Sequence, residues 1–235
     1  MVKVSTKKEN VRSMFNSIAK RYDFLNHFLS MGIDRLWRKK LVKMLISRNP
    51  LTVLDVATGT ADLAIEVSRQ SKAAITGIDI AEEMINIGIK KIGSLKLENQ
   101  IKLQVADSEN IPFSDKSFDA AIVAFGVRNF ETLDKGLAEM NRVLKSNGMI
   151  AVLEFSRPKH FPVRNLYMFY FRFILPSLGR LISGDKGAYT YLPDSVKQFP
   201  DGNDFLKHLT QTGFTQTTET RLSFGIATIY TGIKL

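Results

Sequence analysis

The sequence predicts an α/β fold in which a mostly parallel sheet is covered by helices on both faces. Two observations lead to this prediction. From about residue 51, short apolar runs alternate with longer amphipathic segments, and small or acidic residues stand where several of the runs end. Alternation of this kind is typical of strand–helix–strand units. The patterns place strands at 51–56, 74–79, 101–105, 118–124 and 148–154, and helices at 62–70, 81–92 and 132–144.

The composition limits the class of protein. At 235 residues the chain is long enough for one domain with a sizeable core. It contains no cysteine, which excludes disulfides, thiolate metal ligands and a cysteine nucleophile, and which fits a cytosolic home. Residues 1–10 are charged without an apolar run, and no stretch of about 18 apolar residues occurs, so we expect neither a signal peptide nor a membrane span.

The net charge of +10 is concentrated at the N-terminus. Residues 1–50 hold 12 Lys and Arg against 3 Asp and Glu, whereas the other 185 residues hold 21 against 20. The basic character therefore belongs to the first fifty residues. Such a segment could contact nucleic acid or an anionic membrane surface, or could simply be solvated.

The N-terminal segment is predicted to be helical. In Lys7–Lys20, apolar residues recur at the spacing of one helix face: Val11, Met14, Phe15 and Ile18. Tyr22–Ser30 is aromatic and is predicted to form a short second helix. Asp34 is a candidate N-cap for a third helix that runs to about Ser47, and Asn49-Pro50 ends it before the first strand.

The first strand leads into the stretch on which the functional prediction depends. The apolar run Leu51–Val56 is followed by a turn of small residues, Ala57–Ala61, and then by a helix start. Small residues let a ligand lie against bare backbone, and the N–H groups at the helix start can donate to it. The second strand ends at Asp79, about 20 residues past the turn, where nucleoside-binding folds place the acceptor for the ribose hydroxyls.

The turn differs from that of dinucleotide-binding proteins. A dinucleotide fingerprint has three glycines, whereas here only Gly59 is glycine. Asp55 and Asp62 flank the turn and would repel a pyrophosphate. They favour a ligand with a positive end, and S-adenosylmethionine fits because it carries an ammonium, a sulfonium and a ribose. The alternative is a strand–turn–helix unit that binds no ligand.

Two further strand ends carry polar residues toward the same edge of the sheet. Asp107 and Ser108 follow the third strand, so together with Asp79 they could face one adenosine. The alternative for Asp107 is a carboxylate that caps a turn. The fourth strand leads into Arg128 and Asn129, at the mouth where open α/β sheets bind ligands. Here the alternative is a surface turn with a solvated arginine.

Residues 155–186 are predicted to form an insertion before the sheet resumes. The segment 163–173 is dense in aromatic residues, and 155–186 holds six Lys and Arg against one Asp. Such a segment suits a lid over an apolar substrate or a contact with a membrane surface, although a helix packed on the body would have the same pattern.

The C-terminal segment is predicted to complete the sheet with a hairpin. A helix is expected at about 203–212, with strands at about 214–221 and 224–233. The residues between these two strands are too few for a crossover helix, so one strand must run antiparallel to its neighbours. Seven strands with the last one reversed is the Rossmann-like arrangement of the class I methyltransferases.

Several longer motifs point to one family of such enzymes. In chain order they are Tyr22–Ser30 with Trp37, Phe125–Asn129, Arg142–Gly148 with Leu153–Ser156, and a group made of Tyr189, Tyr191, Leu192, Ser195, Phe199 and Pro200. From about Val11 onward the chain resembles the UbiE/MenG family of quinone-biosynthesis C-methyltransferases. It departs from the family pattern at Asp34, where histidine is usual, at Ser146-Asn147, where Pro-Gly is usual, and at Ala61, where many members have glycine.

The resemblance implies methyl transfer from S-adenosylmethionine to a ring carbon of a prenylated quinol. Demethylmenaquinol, in menaquinone biosynthesis, is the favoured substrate, and a ubiquinone-pathway or dual-specificity enzyme is the alternative. The cofactor contacts that the resemblance implies are Thr60, Asp79, Asp107 and Ser108, and motif position adds Asp55 and Gly59. The implied catalytic residues are Arg128 and Asn129, which could stabilise an oxyanion. The substrate-side residues are Tyr22, Tyr189 and Tyr191.

The single domain is expected to have four parts. They are an N-terminal helical cap at 1–49, a cofactor-binding core at 50–154, a substrate or lid insertion at 155–200 and the sheet completion at 201–235. No metal is expected, because the three histidines lie far apart in the sequence. Since a polyprenyl quinol resides in the bilayer, we expect a cytoplasmic protein that contacts the inner face of the membrane reversibly through residues 1–48 and 157–186. A homo-oligomer is left open.

Two other functions are alternatives to quinol methylation. A nucleic-acid methyltransferase would suit the charge, but the chain lacks the Asn/Asp-Pro-Pro-aromatic element for amino-group methylation and the cysteine for covalent cytosine methylation. No nucleic-acid partner is therefore expected. A cofactor-binding scaffold without activity is the other alternative, and the intact Arg128-Asn129 pair argues against it.

Overall fold

The computed structural model describes residues 6–170 and 186–235, and within them seven strands form one sheet. The strands are β1 Thr52–Val56, β2 Ala74–Asp79, β3 Ile101–Val105, β4 Phe118–Ala124, β5 Leu144–Phe155, β6 Phe214–Leu222 and β7 Ala227–Lys234. The helices are α1 Lys7–Leu29, α2 Ile33–Ile46, α3 Asp62–Gln70, α4 Glu82–Ser94, α5 Leu133–Val143, α6 Val163–Phe169, α7 Lys186–Gln198 and α8 Asn203–Gln211. Short 3₁₀ turns follow β4, at Val127–Asn129, and join β6 to β7, at Ser223–Gly225.

The order of the strands confirms the predicted Rossmann-like sheet. The order is β3-β2-β1-β4-β5-β7-β6, and only β7 runs antiparallel to its neighbours. β1 lies parallel between β2 and β4. The direction of chain progression reverses at this point, and open α/β sheets bind ligands beyond the carboxyl ends of the strands there.

Alternate residues of β1 pack into two separate apolar cores. Val53 belongs to the cluster that α2 and α3 form with one face of the sheet, whereas Leu54 belongs to the cluster formed with α5 and α8. Successive side chains of a strand point to opposite faces, so a strand that is buried on both faces is apolar throughout. This is why the central strands β1 and β4 stand out in the sequence as largely apolar runs, whereas the edge strand β3 alternates apolar and polar residues.

The two N-terminal helices that we predicted are one continuous helix, α1. The predicted break near residue 21 is wrong because no proline or glycine interrupts the segment and its apolar face continues. Phe15 and Tyr22, seven residues apart, contact each other edge to face with their ring centroids 5.9 Å apart. Ala19 lies between them and packs against α4.

Asp34 is not the N-cap of α2, contrary to the prediction. The residue before the helix is Gly32, whose φ of 75° is left-handed, and Asp34 lies inside the first turn, where it is only 1% exposed. Its carboxylate accepts a hydrogen bond from the Ser30 hydroxyl at 2.6 Å, binds the Arg38 guanidinium and lies 2.9 Å from His27 Nδ1. The carboxylate oxygens of Asp34 therefore bond to other side chains, whereas those of an N-cap would accept backbone N–H groups.

The region after the fourth strand differs from the prediction only in its boundaries. β5 begins at Leu144 rather than at residue 148, because Leu144 pairs with Phe118 before an irregularity interrupts the register. The predicted insertion contains α6 and α7, while residues 171–185, with the end of the predicted aromatic segment, lie outside the described residues. Within 6–170 and 186–235, no helix combines the length and the apolar character that crossing a bilayer requires.

Candidate active site

A cavity lies beyond the carboxyl ends of β1, β2, β3 and β4. The turns that follow these strands form its inner wall, and α1 covers it from outside. Five residues that the sequence analysis selected from separate strand ends line it together, and Tyr22 of α1 lines it as well. The five are Gly59, Asp79, Asp107, Ser108 and Asn129.

The turn after β1 has the open backbone that the small residues predict. Ala57, Gly59 and Ala61 all have positive φ, at 52°, 56° and 68°. Residues other than glycine rarely adopt this conformation, because their Cβ makes it strained. A Cβ built on Gly59 would meet no atom within 4 Å, so the glycine leaves open space in the cavity wall. A ligand can therefore lie directly against this backbone.

Asp79 both holds the turn and faces the cavity. Its Oδ2 accepts the Gly59 amide at 2.9 Å, and its Oδ1 accepts the Ala81 amide at 2.8 Å. Burial raises the pKa of Asp79, and these backbone N–H groups oppose the rise. The carboxylate is thus fixed in place at the end of β2, where the ribose acceptor was predicted.

Two of the predicted cofactor residues lie beneath the turn and not on the cavity wall. Asp55 is only 1% exposed, and its carboxylate accepts the Thr58 hydroxyl at 2.7 Å. Thr60 is also buried; its hydroxyl donates to Asp23 of α1 and accepts from Lys91 of α4 at 3.2 Å. The structure gives these residues packing and bonding roles that support the turn, and their contact with a cofactor stays a prediction.

Asp107 caps a turn and also lines the cavity, and its contact with a cofactor stays a prediction. Its Oδ1 accepts the Glu109 amide at 2.9 Å, as expected of a carboxylate that caps a turn, and the residue also lines the cavity. Its Oδ2 lies 2.7 Å from the Lys8 ammonium of α1. The hydrogen bond that Lys8 donates to the Asp107 carboxylate raises the pKa of Lys8. Sequence reasoning counted Lys8 in the basic segment without placing it at the site.

Arg128 and Asn129 lie in the 3₁₀ turn after β4, and both are hydrogen-bonded to neighbouring elements. Arg128 Nη1 donates to Glu154 Oε1 of β5 at 2.8 Å and to the Phe125 carbonyl at 2.5 Å. Asn129 accepts the Tyr191 hydroxyl at 3.0 Å, which brings α7 to the site. The Nε atom of Arg128 is buried and has no hydrogen-bond partner among the described residues.

Glu154 is the residue of this site that the sequence analysis did not select. An acidic residue at the end of an apolar strand was the signal used for Asp55 and Asp79, and β5 carries the same signal. The residue was noted only as part of a family motif. Its partner Arg128 is 26 positions away, so the ion pair became visible only in the structure.

The structure describes the side chains of two of the three predicted substrate-side tyrosines, Tyr22 and Tyr191. Burial raises the pKa of Tyr22 to about 12, although the positive charges of Arg128 and Arg38 oppose the rise. Burial also raises the pKa of Tyr191. Both phenols are therefore protonated near neutral pH and can donate hydrogen bonds. Tyr189 belongs to α7, but its side chain lies outside the described part of the structure.

Helix α1 is joined to both sides of the cavity. Near its start, the Lys7 ammonium donates to the Phe130 carbonyl at 2.5 Å and to the Arg128 carbonyl at 3.2 Å. Further along, Asp23 lies 2.9 Å from Lys91. The N-terminal cap that the sequence predicted therefore contacts the turns after β1, β3 and β4, and access to the cavity depends on its position.

The fold and this site define a class I S-adenosylmethionine-dependent methyltransferase. The reversed β7, the small-residue turn after β1 and the carboxylates after β2 and β3 are the features that define it. Solved structures have the same fold. A possible histamine N-methyltransferase from Thermotoga maritima superposes with a TM-score of 0.67 at 18% identity, over 95% of this chain and 99% of that one. The magnesium protoporphyrin IX methyltransferase from Synechocystis, solved with bound S-adenosylhomocysteine, gives 0.67 at 20% identity, over 97% and 100%.

The chain belongs to the ubiE/COQ5 methyltransferase family, which it matches over residues 2–234. The demethylmenaquinone methyltransferase of Bacteroides fragilis is 44% identical to it over 229 residues, which cover 97% of this chain and 94% of that protein. The ubiquinone/menaquinone biosynthesis C-methyltransferase of Citrifermentans bemidjiense is 48% identical over 236 residues and all of both chains. These matches confirm the resemblance inferred from the motifs.

Proposed function

We propose that this protein methylates a ring carbon of a prenylated quinol, with demethylmenaquinol as its principal substrate. Relatives that match almost the whole chain are named for this reaction. One structural observation carries the proposal to this chain. Arg128 and Asn129 stand side by side after the end of β4, next to a cavity lined by four of the six residues predicted to bind the methyl donor.

The wall of the cavity suits S-adenosylmethionine. It is built from the turns at the carboxyl ends of the strands, where open α/β sheets bind ligands. Asp79 and Asp107 would accept hydrogen bonds from the adenosine, and the open backbone at Gly59 would lie against the ligand. When bound, this cofactor supplies a methyl group on a positively charged sulfur.

Arg128 and Asn129 would make the ring carbon nucleophilic by stabilising negative charge on the neighbouring oxygen. A phenol-like hydroxyl has an ordinary pKa of about 10, so its ionisation near neutral pH needs such help. The unpartnered Nε–H of Arg128 and the side-chain amide of Asn129 are suitable donors. An arginine stays protonated in proteins and is a poor base, so we assign it an electrostatic role. The ring carbon would take the methyl group as the methyl–sulfur bond breaks, and the ring proton would then leave to water. The rigid strand end would align the reacting atoms for this transfer.

A dual-specificity enzyme is the second candidate, and the relatives support it directly. Those named for menaquinone alone and those named for ubiquinone and menaquinone are similarly close to this chain, at 44–45% and 44–48% identity. A benzoquinol substrate would present the same hydroxyl and neighbouring ring carbon. The same residues would therefore serve both reactions.

Replacing Arg128 tests the proposed catalytic role. We expect Arg128→Ala to lower kcat by about 10²- to 10³-fold, as is usual when an oxyanion donor is lost. Cofactor affinity, measured by calorimetry, should be retained, because Arg128 is not a wall residue of the cavity. Arg221→Ala is a matched control, since that arginine pairs with Glu219 on β6, away from the cavity. A wild-type rate for Arg128→Ala would refute the assignment.

We also propose that the outer face of α2 contacts an anionic membrane surface. Arg35, Lys39, Lys40 and Lys43 are exposed there, and none forms an ion pair with another described residue. Leu36, on the same face, is 63% exposed. Each cation near an anionic surface contributes about 1 kcal/mol. On α6, Leu166 and Phe169 are exposed apolar residues that would enter the interfacial region.

Liposome flotation tests the membrane contact. Binding to anionic vesicles at low salt should be lost when Lys39, Lys40 and Lys43 are all changed to Glu, because three attractive charges become repulsive. The control changes three exposed lysines elsewhere, Lys90, Lys96 and Lys135, to Glu. Equal loss of binding in both triple variants would show a dependence on net charge alone, and would count against α2 as the contact surface.

A further inference from the structure

We propose that Glu154 is a positioning residue for the methyl transfer, because its buried carboxylate orients the Arg128 guanidinium toward the substrate oxygen. This inference rests on the proposed function of Arg128. Glu154 does not itself touch substrate, since it is 0% exposed. It lies at the carboxyl end of β5.

Glu154 holds Arg128 at two points. Its Oε1 accepts Arg128 Nη1 at 2.8 Å, and its Oε2 accepts the backbone N–H of the same residue at 3.4 Å. Oε1 also accepts the Phe155 amide at 2.9 Å. The carboxylate therefore fixes both the side chain of Arg128 and the turn that carries it. Phe155 limits the guanidinium further, because its ring centroid is 5.5 Å from Arg128 Cζ.

The bonds of the guanidinium leave its Nε and Nη2 N–H groups available. Nη1 is used by Glu154 and by the Phe125 carbonyl, whereas the buried Nε has no partner among the described residues. Buried polar atoms are almost always hydrogen-bonded. The unpartnered Nε–H of Arg128 is therefore a candidate donor to a bound ligand. Glu154 thus selects which edge of Arg128 is left for a substrate oxygen.

The charge of Arg128 explains why an acidic residue, Glu154, occurs in the apolar strand β5. The Arg128 side chain is only 7% exposed, so without a partner it would be a nearly buried cation. A buried ion is tolerated when a counter-ion and hydrogen bonds compensate for lost hydration. Burial raises the pKa of Glu154, and the adjacent Arg128 opposes that rise.

The support around Glu154 is rigid. β5 lies between β4 and β7, and Glu154 pairs with Thr228 of β7. Two residues on, the Ser156 hydroxyl bonds to the Thr228 hydroxyl at 2.8 Å and donates to the Gly225 carbonyl at 2.8 Å. A group placed on a central strand orients its partner more accurately than one placed on a loop.

The test compares Glu154→Gln with Glu154→Asp and with the buried-carboxylate control Glu66→Gln. Glu66 is bonded to Gln70 on α3, outside the cavity. We expect Glu154→Gln to lower kcat by about tenfold to a hundredfold, with the KM for a reduced short-prenyl quinol and the Kd for S-adenosylmethionine nearly unchanged. Glu154→Asp, which keeps the charge, should recover part of the rate, and Glu66→Gln should keep it all.

A double-mutant cycle with Arg128→Ala decides whether Glu154 acts through Arg128. If it does, Glu154→Gln adds little to the loss caused by Arg128→Ala. Additive losses, or a wild-type kcat in Glu154→Gln, would overturn the proposal while leaving the role of Arg128 intact. A wild-type kcat in Arg128→Ala would instead overturn the proposed function on which the inference rests. If Glu154→Gln does not fold, the cycle is run with Glu154→Asp, and losses that add to those of Arg128→Ala would overturn the proposal.

Discussion

Asp55 and Asp79 follow similar sequence patterns but lie in different environments. Both end an apolar strand beside the small-residue turn, and both were selected as cofactor residues. Asp79 faces the cavity and holds the Gly59 amide, whereas Asp55 is enclosed beneath the turn. Residue type and position in the motif could not separate them, because the difference depends on which side of the strand end each carboxylate occupies.

The burial of Asp55 predicts a pH effect on stability. Burial raises its pKa to about 7, against an ordinary value of 3.8, so the folded state holds a proton that the unfolded state has lost. Stability should therefore fall as the pH rises from about 4 to about 7, by up to about 4 kcal/mol from this group. Asp55→Asn removes the ionisable group while an amide oxygen can still accept the Thr58 hydroxyl.

Urea denaturation of both proteins between pH 4 and pH 8 measures this effect. We expect the difference in unfolding free energy, variant minus wild type, to increase in favour of Asp55→Asn as the pH rises. A constant difference across this range would contradict the assignment of a raised pKa to Asp55.

At the scale of elements, the turns after β1 and β4 fit against each other. Gly126 begins the turn that carries Arg128 and Asn129, and a Cβ built on it would lie 2.6 Å from Ala57 Cβ and 2.9 Å from Val123 Cγ2. Real Cβ contacts of that length do not occur, and Ala57 has no flexible side chain that could move away. The turn that carries Arg128 and Asn129 and the predicted cofactor turn are therefore in direct contact.

Gly126→Ala should disturb both turns at once. Overpacking of this kind costs about 1 to 3 kcal/mol, so we expect a lower unfolding midpoint together with weaker binding of S-adenosylmethionine. Gly93→Ala is the control, because in α4 its new Cβ would meet only Glu98 Oε1 at an ordinary 3.6 Å. That variant should be neutral or slightly more stable. Unchanged cofactor affinity in Gly126→Ala would show that the turns are not coupled.

The sequence predicted the strands and the reversal of the last one well, and the helical cap less well. The central parallel strands β1 and β4 are buried on both faces, so local apolar runs identify them. The continuity of α1 and the position of Asp34 depend instead on packing against α4 and on partners such as Arg38. Contacts such as Lys8 with Asp107, 99 residues apart, have no local signal and could only be found in the folded chain.

At the scale of the whole molecule, the basic residues of the N-terminal segment fall into two groups. Lys7 and Lys8 point inward, where they bind backbone carbonyls and the carboxylate of Asp107. By contrast, Lys39, Lys40 and Lys43 of α2 are exposed to solvent. The excess charge seen in the first fifty residues therefore divides into a part that closes the cavity and a part available to an anionic surface.

The most direct test of the proposed reaction is methyl transfer from labelled S-adenosylmethionine to a reduced, short-prenyl demethylnaphthoquinol. The unreduced quinone and a demethoxybenzoquinol are assayed beside it. We expect label on the ring carbon of the naphthoquinol and none on the quinone, because only the quinol can form the oxyanion that Arg128 stabilises. Label on the benzoquinol as well would identify a dual-specificity enzyme. Absence of transfer to either quinol, with the cofactor still bound, would contradict quinol methylation as the function of this protein.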